Sequence, residues 1–322
     1  MRRGLAVFAI LMLLSPVLLA QALHLEKTIS LPPDVIVRYT AISPAGNVIA
    51  AVCRDQKVWL VDISSATLSQ TVDLGGERLT SVRFSGDGRL LAAGGAAGRV
   101  RVWELPSATL KLEITAPREV DALAISSDGK LLAAAPLEEA VEVWDLPAAK
   151  QLVKLRAPFS GTSALAFSPD GHWLATADGD TNIRVYDSRT GALRSTAGDL
   201  LLEAFSIAYS IDGKYILAGG ADKTISVIDP GSGEVLRSFI KQDNPILDLR
   251  LSRDGKLVAA AYFNADDPSK PAPVLIWDLQ TELPRTRILE PDVTPNGGEY
   301  LPDGRLLMTS GSEKELKVWS VR

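Results

Sequence analysis

The chain has 322 residues, of which 46% are hydrophobic and 23% charged, with a formal net charge of -5, one cysteine and two histidines. A chain of this size can bury a large core, while a single cysteine excludes a disulfide framework, a cysteine zinc site and a c-type haem motif. The acidic balance leaves no broad basic footprint for nucleic acid or an anionic lipid surface.

Taken in chain order, the first segment stands apart. Arg2 and Arg3 precede an apolar run from Leu5 to Ala20, and the small-residue site Ala20-Gln21-Ala22 closes it. That order predicts a signal peptide over 1–22, cleaved after Ala22. The run is shorter than the roughly 20 residues of a spanning helix, and Ser15-Pro16 interrupts it. Cleavage removes two positive charges and no negative ones, which takes the net charge from -5 to -7. The expectation is an exported chain, periplasmic or secreted, with no membrane span left in it and one domain over 23–322. Cys53, inside the run Val48 to Cys53, reads as a small buried hydrophobe.

Beyond that segment a turn signal recurs: Pro44-Ala45-Gly46, Gly86-Asp87-Gly88, Ser127-Asp128-Gly129, Pro169-Asp170-Gly171, Ile211-Asp212-Gly213, Arg253-Asp254-Gly255 and Pro302-Asp303-Gly304. Successive glycines lie 42, 41, 42, 42, 42 and 49 residues apart. Sixteen residues after the glycine stand Asp62, Glu104, Asp145, Asp187, Asp229 and Ser320, and unit six reaches Asp278 after 23. Val61, Trp103, Trp144, Tyr186, Ile228, Trp277 and Trp319 come just before them. Each unit reads as four antiparallel strands. A first strand runs into the tight turn, where proline presets the backbone and glycine takes the positive φ. A second strand, such as Leu90-Leu91-Ala92-Ala93-Gly94, is continuously apolar and ends in small residues, as expected for a strand covered on both faces. A third strand ends at the Trp-Asp position. A fourth, such as Leu68 to Leu74, alternates with period two and can be wet on one face.

Seven such units of about 42 residues resemble the tryptophan-aspartate (WD) repeat family of β-propellers. The resemblance covers nearly the whole chain after residue 22 and implies an all-β, seven-bladed β-propeller of four-stranded antiparallel blades. The chain departs from the family in lacking its Gly-His dipeptide and in keeping Trp at four of seven slots. His24 and His172 therefore cannot furnish the family's Asp-His-Ser-Trp network to several blades. The last unit stops just after Trp319, short of a fourth strand, and Leu25 to Leu31 matches Leu68 to Leu74 in polarity. The N-terminal strand is thus expected to complete the last blade and close the ring. Val293 to Gly298 breaks the alternation and is expected to be the least regular inner strand.

No catalytic constellation is present: the chain has no Gly-x-Ser-x-Gly, no His-Glu-x-x-His, no Cys-x-x-Cys-His and no phosphate loop. His172 follows a turn glycine where other units carry lysine or arginine, and reads as an exposed turn residue. No cofactor and no metal are expected, since no converging carboxylates of a calcium site are visible. An acidic slot at Asp55, Asp180, Asp222 and Glu313 is implied by the resemblance to tie each blade to its neighbour.

Unit six carries seven extra residues within Tyr262 to Pro273, a proline-rich loop on the face where the inter-blade links emerge. On that face the family binds partners through residues at the start of each first strand, here Arg38, Thr80, Asp121, Ser163, Phe205 and Leu247, with Arg78, Glu119 and Glu203 two positions before three of them. The expected partner-binding residues are Arg38, Arg78, Glu119, Asp121, Glu203, Phe205, Tyr262 and Phe263, a mixed and partly aromatic rim suited to a protein surface. The resulting expectation is a non-catalytic scaffold for another envelope or extracellular protein. The alternative that stays open is a propeller enzyme of lactonase or quinone-cofactor dehydrogenase type, with its site in the central channel.

Overall fold

The computed structural model describes residues 24–322 apart from 33–34, 74, 156–160, 199, 268–271, 289–294, 312–314 and 322. The expected signal segment 1–22 and Glu313 lie outside the described residues. Those described form 28 strands and no helix, arranged as seven four-stranded antiparallel sheets around a central channel. Six sheets are sequence-consecutive, each running outward from its innermost strand. The seventh joins both ends of the chain: His24–Ser30 pairs with Glu315–Val321, His24 opposite Ser320 and Ser30 opposite Glu315. The N-terminal strand therefore closes the ring, as the polarity match implies.

A repeated side-chain device builds the turn between first and second strands. In five blades a serine donates from Oγ to the carboxylate two residues on, from Ser168 to Asp170 at 2.5 Å up to Ser210 to Asp212 at 2.8 Å. The same Oγ accepts the backbone N–H five residues ahead, as from Leu90, Leu131, Trp173, Tyr215 and Leu257. The carboxylate then accepts the N–H two residues beyond itself. Three polar groups are satisfied in one closed ring of bonds, so the serine can be buried without penalty. In the first blade, where alanine replaces the aspartate, Ser43 instead donates to Asn47 at 2.7 Å.

The second strands are the most buried elements; Leu90–Gly95 and Leu131–Pro136 are buried at every position. Their small residues set the spacing of the blades. A Cβ on Gly219 would lie 2.9 Å from Ile246 Cγ2 of the next blade. The core is a ring of clusters, each shared between adjacent blades. Trp103 and Trp277, at the Trp-Asp slot, fill two of them.

Three details differ from expectation. The inner strand of the last blade is formed over Pro295–Tyr300 and pairs with Leu306–Gly311 with the same irregularity as its counterparts, so the glycines there do not dissolve it. The acidic slot ties its own turn and not the neighbouring blade: Asp55 accepts from Trp59 Nε1 at 2.9 Å, Asp222 from the Thr224 hydroxyl at 2.8 Å, and Asp180 from Arg184 at 2.6 Å. In the fourth blade an arginine takes the place of the absent histidine network. Asp178 accepts from Thr162 at 2.7 Å, from Thr176 at 3.1 Å and from Arg184 at 2.6 Å. Burial still pushes the Asp178 carboxyl up, against these bonds.

Candidate functional site

Every inner strand carries a β-bulge at its second residue, between Val37 and Tyr39, Leu79 and Ser81, Val120 and Ala122, Thr162 and Ala164, Ala204 and Ser206, Ile246 and Asp248, and Pro295 and Gly297. The skipped residues include Arg38, Thr80, Asp121, Ser163, Phe205 and Leu247. A bulge leaves one residue out of the ladder and re-aims its side chain. The rim positions implied by the sequence are thus the ones the backbone releases at the channel mouth.

Two residues earlier the chain is pinned. The carbonyls of Ile36, Arg78, Glu119, Gly161, Glu203 and Pro245 each accept an N–H from the turn after the second strand of their own blade, at 2.7 to 3.2 Å. This fixes Arg78, Glu119 and Glu203 beside the bulged positions. Arg78 Nη2 reaches Glu119 Oε1 at 2.6 Å, a pair spanning two blades. Burial pushes the Asp121 carboxyl up, with Glu119 adding to the shift and Arg78 opposing it. Thr80 and Ser163 are spent on closure: their hydroxyls donate to the carbonyls of Val120 at 2.6 Å and Ala204 at 2.8 Å on the next inner strand.

The released side chains sort by chemistry around the ring. On the first two blades Arg38, Arg54 and Arg78 surround a small hollow of about 130 Å³. On the fifth and sixth, Phe205 and Phe263 meet in a tilted ring pair, centroids 6.3 Å apart at 47°. Leu247 beside them is 51% exposed, and Leu201 and Leu202 on the preceding link are 75% and 50% exposed. Phe263 opens the extra loop of unit six, its N–H held by the Pro245 carbonyl at 3.2 Å. Its neighbour Tyr262 does not join the face. That side chain is 4% exposed and packs in the cluster with Trp277 and Phe239, because alternation along the second strand turns it inward. Tyr262 is therefore a core residue and not part of the rim.

Below the mouth the channel holds a cavity of about 270 Å³. Small and apolar residues share its walls with the hydroxyls of Tyr39, Thr40, Thr80, Ser81, Ser163 and Ser206 and the charges of Arg83, Asp121, Asp248 and Arg250. The two arginines were not singled out in the sequence, yet a signal exists. Two residues before the turn serine, four blades carry Ala41, Ala124, Ala166 and Ala208, and Arg83 and Arg250 interrupt that run. In the last blade the corresponding residue is Glu299, whose carboxyl burial pushes up against the pull of Arg250 and Arg253.

Groups suited to nucleophilic or metal chemistry are scattered. The Cys53 thiol is buried and pushed up to about 12, chiefly by burial and further by Asp55. His172 sits on a turn at the opposite face, 3.2 Å from Asp170. Among the described residues no group of three or more His, Cys, Asp or Glu side chains could hold a metal ion. No helix among them is long and apolar enough to cross a membrane.

The fold and the rim define a closed seven-bladed β-propeller with one chemically divided face. A WD domain, G-beta repeat model matches residues 68–104, 149–187 and 203–229. The first two matches begin in an outer strand and end at the third strand of the next blade, so the repeat that the sequence carries is offset by one strand from the structural blade. Together with the seven-bladed ring, these matches support a WD-repeat β-propeller. A search of curated proteins finds no match. Propellers of this family commonly mediate protein–protein interactions.

Proposed function

We propose that the protein is a non-catalytic binding scaffold for another protein, and that it acts in the periplasm or outside the cell. The observation that carries the reading is the divided rim: exposed Arg38 and Arg54 on one side of the mouth, and Phe205, Leu247 and Phe263 on the other. A face with aromatic anchors and a charged edge has the composition of a protein interface core with its rim. The order of charges, apolar run and small residues in Met1 to Ala22 supports export.

Affinity capture from a native envelope extract tests the reading. Arg38→Glu, Arg78→Glu and Phe205→Ala are combined in one folded variant and compared with the native protein by mass spectrometry. A protein retained stoichiometrically by the native bait and lost by the variant is the expected result. Retention of the same protein by both would remove the mouth as the binding face. N-terminal sequencing of the exported protein checks the cleavage after Ala22.

A further inference from the structure

Three arginines converge at one junction of the channel mouth. Arg38 is the bulged residue of the first inner strand, skipped between Val37 and Tyr39. Arg54 opens the turn after the second strand of the same blade, its N–H held by the Ile36 carbonyl at 2.8 Å. Arg78 lies on the link to the second blade, and its carbonyl accepts the Ala96 N–H at 2.8 Å. The three line one hollow of about 130 Å³ together with Gln56, Cys53 and Leu79, and no carboxylate is among those walls.

All three guanidiniums are exposed, so water solvates each of them. What the fold does not require is their grouping. The repeat supplies the same three positions in each of the first six blades, and outside this junction none of them holds a lysine or arginine. Among the described residues Arg38 and Arg54 have no carboxylate within 4 Å, while Arg78 has Glu119 at 2.6 Å. Glu119 and Asp121 belong to the third blade, Asp55 is bonded to Trp59 Nε1 at 2.9 Å, and none of these acids lines the hollow. Its surface is therefore lined by charge of one sign, which focuses the field within it. Cys53 and Leu79, 3% and 2% exposed, add an apolar wall that strengthens the field further.

Size and donor count narrow the ligand. The hollow is well below the roughly 300 Å³ at which drug-sized ligand pockets begin. Each guanidinium offers five N–H donors in a planar fork, more in sum than the two oxygens of a carboxylate can accept. A tetrahedral oxyanion can turn an oxygen toward each fork.

We propose that this hollow binds a tetrahedral dianion, a sulfate or phosphate group, between Arg38, Arg54 and Arg78. The group is either a free ion or a phosphomonoester on a protein seated on the mouth. The second source rests on the scaffold reading and the first does not.

Sulfate is the first probe, titrated by calorimetry into the purified full chain at constant ionic strength, with nitrate as its singly charged counterpart. Sulfate is expected to bind with one-to-one stoichiometry, about tenfold or more tightly than nitrate, and to weaken as ionic strength rises. Arg38→Gln and Arg54→Gln are each expected to bind sulfate about tenfold or more weakly. Both should keep the native Tm within about 1 °C, since the side chains are exposed and make no hydrogen bond or ion pair among the described residues. Arg89→Gln removes an exposed arginine from the opposite face and is expected to leave the affinity unchanged. Equal sulfate affinity in native protein and Arg54→Gln, equal binding of nitrate and sulfate, or an equal loss in Arg89→Gln would overturn the proposal, the last by revealing diffuse attraction in place of a site. An N-acetylated, C-amidated Ala-phosphoserine-Ala peptide separates the two sources. Peptide binding at least as tight as that of sulfate, and lost in Arg54→Gln, assigns the group to a partner protein. Sulfate binding with weaker or absent peptide binding assigns it to a free ion, and binding of neither refutes the site. No partner protein enters these titrations, so the site can fail while the scaffold reading stands, and the reverse.

Discussion

The serine at the head of the inner turn in six blades holds more of the blade than the glycine that marks it. Ser210 is 1% exposed, donates to Asp212 at 2.8 Å and accepts the Tyr215 N–H at 3.0 Å. Replacing it with alanine leaves that part-buried N–H without its partner, which costs about 1–3 kcal/mol. Urea unfolding of Ser210→Ala is expected to show a loss in that range with an unchanged m-value. The acidic partners of these turns carry a pH signature. The Ser168 hydroxyl holds Asp170 below the usual carboxylate range, and the Ser252 hydroxyl does the same for Asp254. The Lys214 ammonium, with Ser210, takes Asp212 down to about 2. A carboxyl with a lowered native pKa binds fewer protons folded than unfolded. Its contribution to stability is therefore complete above the ordinary range near pH ~4 and disappears as pH falls through the native value. Tm is expected to decline between pH 5 and 2, and the decline to be shallower in a variant combining Asp170→Asn and Asp254→Asn, whose amides cannot titrate.

At the level of strands and loops, the period of the chain displays the blades directly because each is a local meander whose turn chemistry repeats. Burial of the second strands is equally visible as unbroken apolar runs ending in alanine or glycine. The mouth was legible only as far as alignment reaches: Arg38, Asp121 and Phe205 occupy the bulged position that every inner strand supplies. Tyr262 was misplaced because a loop insertion hides where strand alternation ends, and alternation had already turned that ring inward. Arg83 and Arg250 escaped notice because charge in a strand reads as a solvent face until ring closure makes that face a channel. The extra loop gains its placement from a contact between blades, Phe263 against Phe205. A double-mutant cycle on Phe205→Ala and Phe263→Ala is expected to yield a coupling of about 0.5–1.5 kcal/mol. A coupling near zero would mean that the ring contact does not hold the loop in place. Blade spacing is stricter. Gly219→Ala drives a Cβ to 2.9 Å from Ile246, itself fully buried, and is expected to cost about 1–3 kcal/mol through strain.

For the molecule as a whole, stability turns on one seam. Six blades are closed by chain continuity, whereas the seventh depends on His24–Ser30 returning to Glu315–Val321. The seam is reinforced by packing and by charge. Ile29, 3% exposed, joins Val35, Val37, Leu316 and Val318 in one cluster. Glu26 Oε1 accepts from Ser320 Oγ at 2.6 Å and pairs with Arg305 at 3.1 Å, and the serine bond foremost holds its carboxyl below the usual range. Without the N-terminal strand, Glu315–Val321 becomes an open edge with unpaired backbone groups, a template for pairing with another chain. A chain beginning at residue 32 is therefore expected to unfold several degrees below the native protein and to scatter light on concentration. A synthetic peptide spanning residues 24–31 should reverse both effects by filling the vacant edge. Ile29→Asp, which keeps the strand but places a carboxylate in that cluster, is expected to lower Tm without creating the edge and so without the scattering. If the shortened chain instead stayed monomeric with the native Tm, the ring would not depend on this seam, and the outer strand of the last blade would have to be regarded as dispensable to it.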